Sequence, residues 1–534
     1  MHTECYPISI LPRLSRLFLD YAESREPLTP FFPFSPYSQK WTTPGQDPAL
    51  RSAVADLLEE QNRGFGASAA TLANIARLRQ GAPAVVTGQQ VTLFGGPLFT
   101  LFKAATAIRK AKDTGAVPIF WLATEDHDLE EADHVTLPSR HELRKLHLAH
   151  ADSRQPVGNL PLGPNIAPVL AQAAELLGPS PILDTLEAAS TPDATFAQAF
   201  GKLLATIFSD DGLILIDAAD RRYHALGAPV LRHAIEHAAE LESALLERNK
   251  LLEIRGYHAQ VLVAPSSSLI FLLDDETGAR LALKRKNEHL ALKRENGNWT
   301  TGKKSFSTPE LLAILDSAPE RISPNALLRP VFQDFLLPTA AYIGGPAEIA
   351  YFAQSQVLYD AILGRTTPVI PRLSATLIEP SVATILARHE LALDDILAVH
   401  PDELAQRLGA RSMPIEGKRK LASAGNALDE ELTSLTQWMH ALDPGLGRSA
   451  DVSASKMRYQ MNRLRRLAAN YQLQTETSLR RHIDALYLNL FPDNHPQERI
   501  IGAAAFLARY GDSLVPQLIE QAAQECPGHK AIFL

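Results

Sequence analysis

The stretch AVVTGQQVTLFGGPLFTLFKAATAIRKAKDTGAVPIFWLATEDHD, residues 84–128, decides the fold. Its apolar runs 84–87 and 117–123 have the length of buried strands, and apolar side chains recur at helical spacing from Leu98 to Ile108. These patterns predict one β-α-β unit, and the two strands of such a unit are parallel and end on the same side of the sheet. We therefore predict an α/β protein with a parallel sheet.

Polar residues follow both predicted strands, at 87–96 and 125–128. Ligands of open α/β sheets bind outside the carboxyl ends of the strands. The two glutamines Gln89 and Gln90 have amide groups that donate and accept hydrogen bonds, which suits carboxylates or sugar hydroxyls. The alternative interpretation is a tight turn with no ligand. The unit indicates a small-molecule site with an anionic ligand, without identifying that ligand.

Composition limits the class of protein. The 534 residues are too many for one compact core, and 46% hydrophobic and 21% charged residues are ordinary for a soluble globular protein. The net charge of −8 argues against general nucleic-acid binding, and no apolar run is long enough to span a membrane. Cys5 and Cys526 form neither a metal-binding spacing nor a disulfide framework, so we expect a reducing cytoplasm.

Changes in pattern predict the domains. Residues 1–375 form a Rossmann-like core with insertions at about 138–192 and 256–310, the second an antiparallel β region with strands at 260–264 and 290–293 and a hairpin turn at Asn296-Gly297. Residues 376–500 form a helical coiled-coil domain, and 501–534 a last helix and tail. Heptad spacing from Leu428 to Leu442 and from Met457 to Tyr471 predicts a helical hairpin broken at Asp443. Single helices are predicted over 220–254 and 381–398, and a homodimer through 381–490.

Two Gly-Gly-Pro junctions, Gly95-Gly96-Pro97 and Gly344-Gly345-Pro346, each lead from a strand or loop into a helix. Glycine permits close approach of the backbone, and proline suits the first turn of a helix. We predict that both junctions present free N–H groups to an anion or to the negative charge that develops on an attacked carbonyl.

The acidic run Glu125-Asp126-His127-Asp128 is the predicted catalytic centre. His127 is the first choice for a general base acting on an amine, and Glu125 is the second. Asp126 and Asp128 are predicted to position the substrate or to face a metal. No second His or Cys stands at zinc-ligand spacing, so we predict no tight metal site, although a loosely held Mg²⁺ remains compatible.

The predicted substrate-binding residues share a position at a strand end or on a helix that starts there. Lys103, Arg329 and Arg372 are candidates for an anionic substrate, although each has the alternative of a simple surface charge. Asn325 stands beside the polar side chains of the 329–334 helix, whose alternative is a polar helix face. The predicted set is Thr87, Gly88, Gln89, Gln90, Gly95, Gly96, Lys103, Asp217, Arg329, Gln333, Asp334, Gly344, Gly345 and Glu348.

Several motifs together resemble the BshC family, and the resemblance covers most of the chain. They are Val86–Gln90, Gly95–Phe99, Phe120–Asp128, Leu328–Pro330 with Gln333 and Asp334, Tyr342–Tyr351, and Asn489–Pro492 with Gln497–Arg499. The resemblance implies a Rossmann-like core with connecting insertions as in class I aminoacyl-tRNA synthetases, and a coiled-coil arm that makes a dimer.

The resemblance also implies a cysteine ligase of bacillithiol biosynthesis, which joins the carboxyl group of L-cysteine to the amine of glucosaminyl-malate. It leaves the activation of that carboxyl group open, so ATP or ADP and Mg²⁺ are compatible but unassigned. Two other interpretations remain. A nucleotidyl transferase, or another carboxylate-activating enzyme, would share the core, and a non-enzymatic coiled-coil scaffold would not need the acidic strand end.

Overall fold

The computed structural model describes residues 2–24, 27–38, 41–150, 154–285, 299–301, 304–475, 477–523 and 526–534. The chain forms two compact units. The α/β unit comprises residues 4–376 and 497–530, and the helical unit comprises 377–496 with residues 1–3 and 531–534. Residues 497–530 belong to the same unit as the sheet, although 497–500 are predicted above for the coiled-coil domain and 501–534 for a separate C-terminal helix and tail.

The centre of the α/β unit is a five-stranded sheet in which every strand is parallel to its neighbours. In chain order the strands are β1 (Ala84–Gln89), β2 (Val117–Leu122), β3 (Ile214–Asp217), β4 (Thr339–Gly344) and β5 (Val369–Pro371). Their spatial order is β5-β4-β1-β2-β3. The predicted parallel β-α-β unit is confirmed, and the chain reverses direction across the sheet between β1 and β4, where such folds bind ligands.

Burial on both faces explains the nearly continuous apolar sequence of these strands. Val85, Ile343 and Ile370 pack with Ala107 and Ala111 of the crossover helix. The small alanine side chains let this helix lie close to the sheet, which brings the start of the helix to the carboxyl end of β1.

The helices of the α/β unit surround this sheet, and the predicted helix over 220–254 is two helices that separate at His237. The α-helices are Arg16–Glu23, Pro48–Phe65, Ala69–Arg79, Phe99–Thr114, Leu129–Ala132, Ile166–Leu177, Pro181–Ala189, Phe196–Ile207, Arg221–Glu236, Ala238–Ile254, Thr308–Ser317, Arg329–Leu336, Pro346–Leu363, Gln497–Ile500, Ala503–Tyr510 and Leu514–Gln521.

Two β elements extend the α/β unit. A hairpin joins His134–Pro138 to Leu143–His147. The predicted antiparallel region is confirmed as a sheet of Ser267–Leu273, Arg280–Arg285, Trp299–Thr301, Lys304–Phe306 and Ile322–Pro324. The strand predicted over 260–264 is wrong, since that segment forms no ladder. The strand predicted over 290–293 and the Asn296-Gly297 turn lie outside the described residues.

The helical unit contains Pro380–His389, Leu393–Ala398, Pro401–Ser412, Ile415–Leu442, Pro444–Thr475 and Thr477–Leu490. The single helix predicted over 381–398 is wrong, because Glu390 adopts a left-handed conformation with φ 52° and ends the first helix. Ile415–Leu442 and Pro444–Thr475 pack against each other. The predicted break at Asp443 is confirmed, and the Asp443 carboxylate accepts hydrogen bonds from the N–H groups of Gly445 and Leu446.

The expectation of unpaired cysteines is wrong, because Cys5 and Cys526 form a disulfide. Their sequence separation of 521 residues gives no local signal, and only the fold brings the two segments together. His2–Tyr6, Ser374–Ile378 and His529–Phe533 are further strands. Each helix in the described part of the chain is too short or too polar to span a lipid bilayer.

Candidate active site

A cavity of about 760 Å³ lies in the α/β unit at the carboxyl ends of β1, β2 and β4. This is the position that the parallel order of the strands predicts. Its lining is rich in charge and also includes aromatic side chains. The charged and histidine residues of the lining are Lys103, Glu125, Asp126, Glu131, His134, Arg280, Arg329, Glu348, Arg372 and Arg499.

The sequence analysis named many of the lining residues, but not all of its candidates line the cavity. Those that do are Gly88, Gln89, Gln90, Lys103, Glu125, Asp126, Arg329, Gly345, Glu348 and Arg372. The structure places the other candidates beside the cavity or behind it, and these are Thr87, Gly95, Gly96, His127, Asp128, Asp217, Gln333, Asp334 and Gly344.

One part of the lining is a cationic cluster, which we define as Lys103, Arg329, Arg372 and Arg499. Lys103 is buried and donates to the Gly88 carbonyl at 2.6 Å and to Gln89 Oε1 at 2.9 Å. Its Nζ also lies 2.5 Å from Glu348 Oε2. Burial lowers the pKa of Lys103, and Glu348 opposes that shift. The Lys103 ammonium group thus joins the end of β1 to the helix that follows β4.

Glu348 completes the helix start at Gly345-Pro346. Its Oε2 accepts from the Gly345 N–H at 2.8 Å, and its Oε1 accepts from the Tyr342 hydroxyl at 2.6 Å. Burial raises the pKa of Glu348, but Lys103 and the other donors outweigh burial, so the pKa lies below its ordinary value. The Gly345 N–H is therefore not free for a ligand, which corrects the prediction made for this junction.

The backbone N–H groups of the first junction are also occupied. Gly95 donates to the Thr92 carbonyl at 3.3 Å and Gly96 to the Leu93 carbonyl at 3.0 Å. Gly96 has φ 66°, and a side chain there would collide with the Thr92 hydroxyl. The glycines thus form a tight turn before the helix rather than an anion cradle, so the expectation of free donors here is also wrong.

A chain of buried side chains positions Arg329. Its guanidinium donates to Gln333 Oε1 at 3.2 Å and to the Tyr351 hydroxyl at 2.6 Å. Gln333 in turn donates to Asp334 at 2.9 Å, and Asp334 accepts from Tyr359 and Thr367. Gln333 and Asp334 therefore orient Arg329 from behind. Arg329 has no carboxylate in close ion-pair contact in the described part of the chain.

Arg372 and Arg499 come from segments far apart in sequence. Arg372 makes two hydrogen bonds to Glu498, at 3.0 and 2.6 Å, and both side chains are 3% exposed. Arg499 follows Glu498 directly and also lines the cavity. Within the described residues Arg499 has no hydrogen bond and no close ion pair, so it adds an uncommitted positive charge. Only the return of residues 497–530 to the α/β unit brings it here.

The second charged part of the lining is an acidic cluster after β2, which we define as Glu125, Asp126 and Glu131. Glu125 lies 2.8 Å from Nε2 of the fully buried His224. The two ring nitrogens of His224 also lie 2.9 Å from the Ile322 carbonyl and 3.1 Å from the Ala218 carbonyl. Carbonyl oxygens accept only, so both nitrogens donate when the ring is an imidazolium. Burial lowers the pKa of His224, but Glu125 and the carbonyls outweigh burial and raise it.

We expect this pair to make stability depend on pH. Because the pKa of His224 is higher in the folded state, its contribution is complete below the unfolded value of about 6.5 and is lost as pH rises through the raised folded value. Glu125→Gln should reduce that loss, because Glu125 is the largest cause that raises the pKa and only the two carbonyls then oppose burial. Urea unfolding across this pH range measures the effect, with Glu142→Gln on the exposed hairpin as the control. The same pH dependence in the Glu125 variant and the wild type would contradict the pair.

Asp126 and Arg280 connect the acidic cluster to the antiparallel sheet. Arg280 Nη1 lies 3.6 Å from Asp126 Oδ1, and its guanidinium carbon lies 4.0 Å from the centre of the Phe271 ring. Arg280 also donates to Ser323 and to the Pro324 carbonyl. The second insertion therefore contributes a cation and an aromatic side chain to the cavity.

The predicted first-choice base, His127, does not line the cavity. Its ring centre lies 5.9 Å from that of Phe271, and its Nδ1 lies 3.7 Å from Asp126. Asp128 is exposed at the start of the Leu129–Ala132 helix. Strand β2 ends at Leu122, so the acidic run continues as irregular chain, and only its first two members face the cavity.

Thr87 and Asp217 have structural partners. The Thr87 hydroxyl donates to the Ile343 carbonyl at 2.9 Å, which links β1 to β4. Asp217 accepts from the Thr124 hydroxyl at 2.5 Å and from the Ala219 N–H at 3.1 Å. Burial raises the pKa of Asp217. These contacts fix the ends of the strands behind the lining.

Besides Glu125, which faces His224, three buried side chains of the lining have polar atoms with no hydrogen-bond partner among the described residues. They are both amide atoms of Gln90, the hydroxyl of Thr92 and Nε1 of Trp121. A buried polar atom without a partner costs roughly 1–3 kcal/mol. A ligand that accepts hydrogen bonds from Trp121 and Gln90 would remove this cost. The cavity therefore favours a ligand with polar groups at this position.

The lining residues that sequence reasoning missed come mostly from distant segments or from aromatic side chains of the core. Arg499 does not follow a predicted strand, so the search for polar residues at strand ends passes over it. His134 begins a hairpin that the sequence analysis does not connect with the site. The missed set includes Thr92, Trp121, Glu131, His134, Phe271, Arg280, Tyr342, Tyr351 and Arg499. Trp121 could have been predicted, because it is the penultimate residue of β2 and therefore lies near the carboxyl end of that strand.

The fold and the cavity define a class: an α/β protein of Rossmann-like strand order with a charged small-molecule site between β1 and β4. The family model for the BshC N-terminal Rossmann-like domain matches residues 1–373, and the model for the BshC C-terminal coiled-coil domain matches residues 375–534. The chain belongs to the BshC family of bacillithiol biosynthesis.

Relatives named "Putative cysteine ligase BshC" match over nine-tenths or more of their length. The Koribacter versatilis protein is 43% identical and the Solibacter usitatus protein 35% identical, each over 100% of both chains. The Symbiobacterium thermophilum protein is 34% identical over 91% of this chain and 90% of its own. The resemblance described from the sequence motifs is confirmed.

Proposed function

We propose that the cavity joins the carboxyl group of L-cysteine to the amine of glucosaminyl-malate and so forms an amide. The observation that carries this proposal is the division of the lining into a cationic cluster and an acidic cluster. Lys103 follows β1, Arg329 precedes β4 and Arg372 follows β5, whereas the acidic cluster follows β2, on the other side of β1 from β4 and β5. Both substrates carry carboxylates and an amine, and a lining of both signs suits them.

The cationic cluster is suited to the carboxylates of the malate group. Lys103 pairs with Glu348, and Arg372 pairs with Glu498. Arg329 and Arg499 are therefore the members of the cluster whose positive charge can bind a substrate carboxylate. Guanidinium groups bind carboxylates with two parallel hydrogen bonds. We therefore assign the malate end of the acceptor to Arg329 and Arg499, with Lys103 and Arg372 shaping the cluster.

The acidic cluster is suited to an ammonium group, and we assign the cysteine amine to Asp126 beside Glu125. The donors on Trp121 and Gln90 are assigned to the oxygen of the attacked carbonyl, where charge develops during amide formation.

ATP is the proposed activating reactant, and it supplies the leaving group. In the described part of the chain no group of three or more acidic, histidine or cysteine side chains is arranged for a metal ion, so we propose that Mg²⁺ enters bound to the nucleotide. The cytoplasm is the proposed location, and this rests on the biosynthetic family of the chain, since the Cys5–Cys526 disulfide removes the argument from unpaired cysteines.

Product mass tests the function against its rivals. The protein is incubated with cysteine, glucosaminyl-malate and ATP, and each reactant is omitted in turn. A ligase gives the condensed product only with all three present. A nucleotidyl transferase would instead accumulate an activated cysteine in the absence of glucosaminyl-malate. That activated cysteine would not condense when glucosaminyl-malate is added. Unchanged reactants under every condition would contradict both enzymes.

We also propose a homodimer formed through 381–490. The two long helices expose large apolar side chains, among them Leu435 at 47%, Trp438 at 58%, Leu464 at 55% and Tyr471 at 68%. Such a surface is unusual on a monomer. Light scattering at micromolar concentration should give the mass of two chains. Leu435→Glu with Leu464→Glu should give one chain, whereas the exposed control Asn462→Glu should stay dimeric. A monomeric wild type would contradict the proposal.

A further inference from the structure

The hairpin that follows the acidic cluster brings two histidines together around one carboxylate. His134 begins the first strand and is the direct partner of His147 on the second strand. Asp133, the residue before the hairpin, is buried at 8% exposure. Its Oδ1 lies 3.0 Å from His134 Nδ1, and its Oδ2 lies 3.0 Å from His147 Nε2. Antiparallel register thus sets an imidazole on each side of Asp133.

This geometry fixes which ring nitrogen of His134 holds the proton. An ionised carboxylate only accepts hydrogen bonds, so His134 donates through Nδ1–H. The other nitrogen, Nε2, has no partner in the described part of the chain. His134 lines the cavity, whereas the His147 side chain is 53% exposed. The charged group next to the pair is Glu131, whose charge interacts with His134 and with Asp126 and Asp128.

We propose that His134 is the catalytic base that takes the proton from the acceptor amine, with Asp133 and His147 as positioning residues. This proposal rests on the proposed amide-forming function. In the step, one N–H bond of the substrate ammonium breaks and one N–H bond forms at His134 Nε2. The electron pair stays on the substrate nitrogen, which then attacks the activated carboxyl carbon. The bond from that carbon to the ATP-derived leaving group breaks, and the leaving group takes the electron pair of that bond together with the second proton of the amine. No oxidant or further reactant is needed for the proton transfer.

Two other candidate bases of the lining are committed elsewhere. Glu125 faces the buried His224, and Glu348 faces Lys103. His127 is outside the lining. After proton uptake, the Asp133 carboxylate stabilises the His134 imidazolium, as the carboxylate of a catalytic triad does. His147, on the other Asp133 oxygen, holds that carboxylate in place.

The test compares His134→Gln, Asp133→Asn and His147→Gln with His141→Gln, a matched control at the exposed turn of the same hairpin. We expect His134→Gln to lower kcat roughly 10²- to 10⁴-fold. KM for the acceptor should change by less than about threefold, because binding is unaffected. The rate should recover as pH rises, since the amine then loses its proton unaided. Asp133→Asn should lose rate through the wrong tautomer, His147→Gln should lose less, and His141→Gln should match the wild type.

Nuclear magnetic resonance of the ¹⁵N-labelled histidines of the wild type tests the geometry independently of turnover. The neutral His134 ring should hold its proton on Nδ1, and Asp133→Asn should disturb that preference. A proton on Nε2 instead would overturn the inference. If His134→Gln makes the amide with the rate and pH profile of the wild type, the inference falls and the proposed function stands. If the wild type makes no amide, both fall.

Discussion

Arg372→Met is expected to lower the free energy of unfolding of the α/β unit by about 3–5 kcal/mol. The variant removes the charge that faces Glu498, and both side chains are 3% exposed. Glu498 also accepts from the Ala375 N–H at 3.1 Å, so it cannot turn to solvent without breaking a backbone contact. Burial raises the pKa of Glu498, but Arg372 outweighs burial and lowers it, so the removal of Arg372 leaves a buried carboxyl group without the partner that favours its charge. Urea unfolding measures the loss.

The exposed pair of Arg144 and Glu142 provides the control. Its side chains are 50% and 63% exposed, so Arg144→Met should cost no more than about 1 kcal/mol. The double variant Arg372→Met, Glu498→Gln should recover part of the loss, because the uncompensated charge is gone. An Arg372→Met protein as stable as the Arg144→Met protein would show that the pair is not buried as described.

Arg329→Met is expected to weaken the binding of glucosaminyl-malate. The removal of one partner from a desolvated, hydrogen-bonded charge pair costs about 2–5 kcal/mol, which corresponds to roughly a thirtyfold to several-thousandfold rise in Kd. Cysteine should bind with unchanged affinity, because it is assigned to the acidic cluster. Isothermal titration calorimetry with each substrate separately measures the two affinities.

The matched variants separate the charge of Arg329 from its shape. Arg329→Lys retains the charge but loses the paired hydrogen bonds, so it should fall between Arg329→Met and the wild type. Gln333→Leu removes one contact that orients the guanidinium, and we expect a smaller loss. Arg144→Met should bind as the wild type does. Equal loss for both substrates in Arg329→Met would contradict the separation of the two clusters.

The sequence predicts those parts of the site that local periodicity sets. Gly88, Gln89 and Gln90 end one parallel strand and Glu125 follows the next, so a strand prediction is enough to bring them to one edge of the sheet. Glu348 could be named because it follows the second Gly-Gly-Pro junction by two residues. The parallel sheet itself follows from the two apolar runs and the helical segment between them.

Contacts between distant segments escape such reasoning. Glu498 and Arg499 reach the cavity because residues 497–530 return to the α/β unit, and Cys5 meets Cys526 for the same reason. His127 and His134 have similar local surroundings in sequence. The irregular chain after β2 and the register of the hairpin decide which of them lines the cavity. The Gly-Gly-Pro motif likewise does not predict the hydrogen bonds that occupy the N–H groups of Gly95, Gly96 and Gly345.

The most direct test of the central claim follows the bond that the cavity is proposed to form. Cysteine labelled with ¹³C at its carboxyl carbon and glucosaminyl-malate labelled with ¹⁵N at its amine are incubated with the protein and ATP. We predict that the carbonyl ¹³C signal of the product splits through a one-bond coupling to ¹⁵N, and that Arg329→Met forms this signal far more slowly at the same substrate concentration. A product whose carbonyl signal stays a single line, or coupling that Arg329→Met forms as fast as the wild type, would contradict the account.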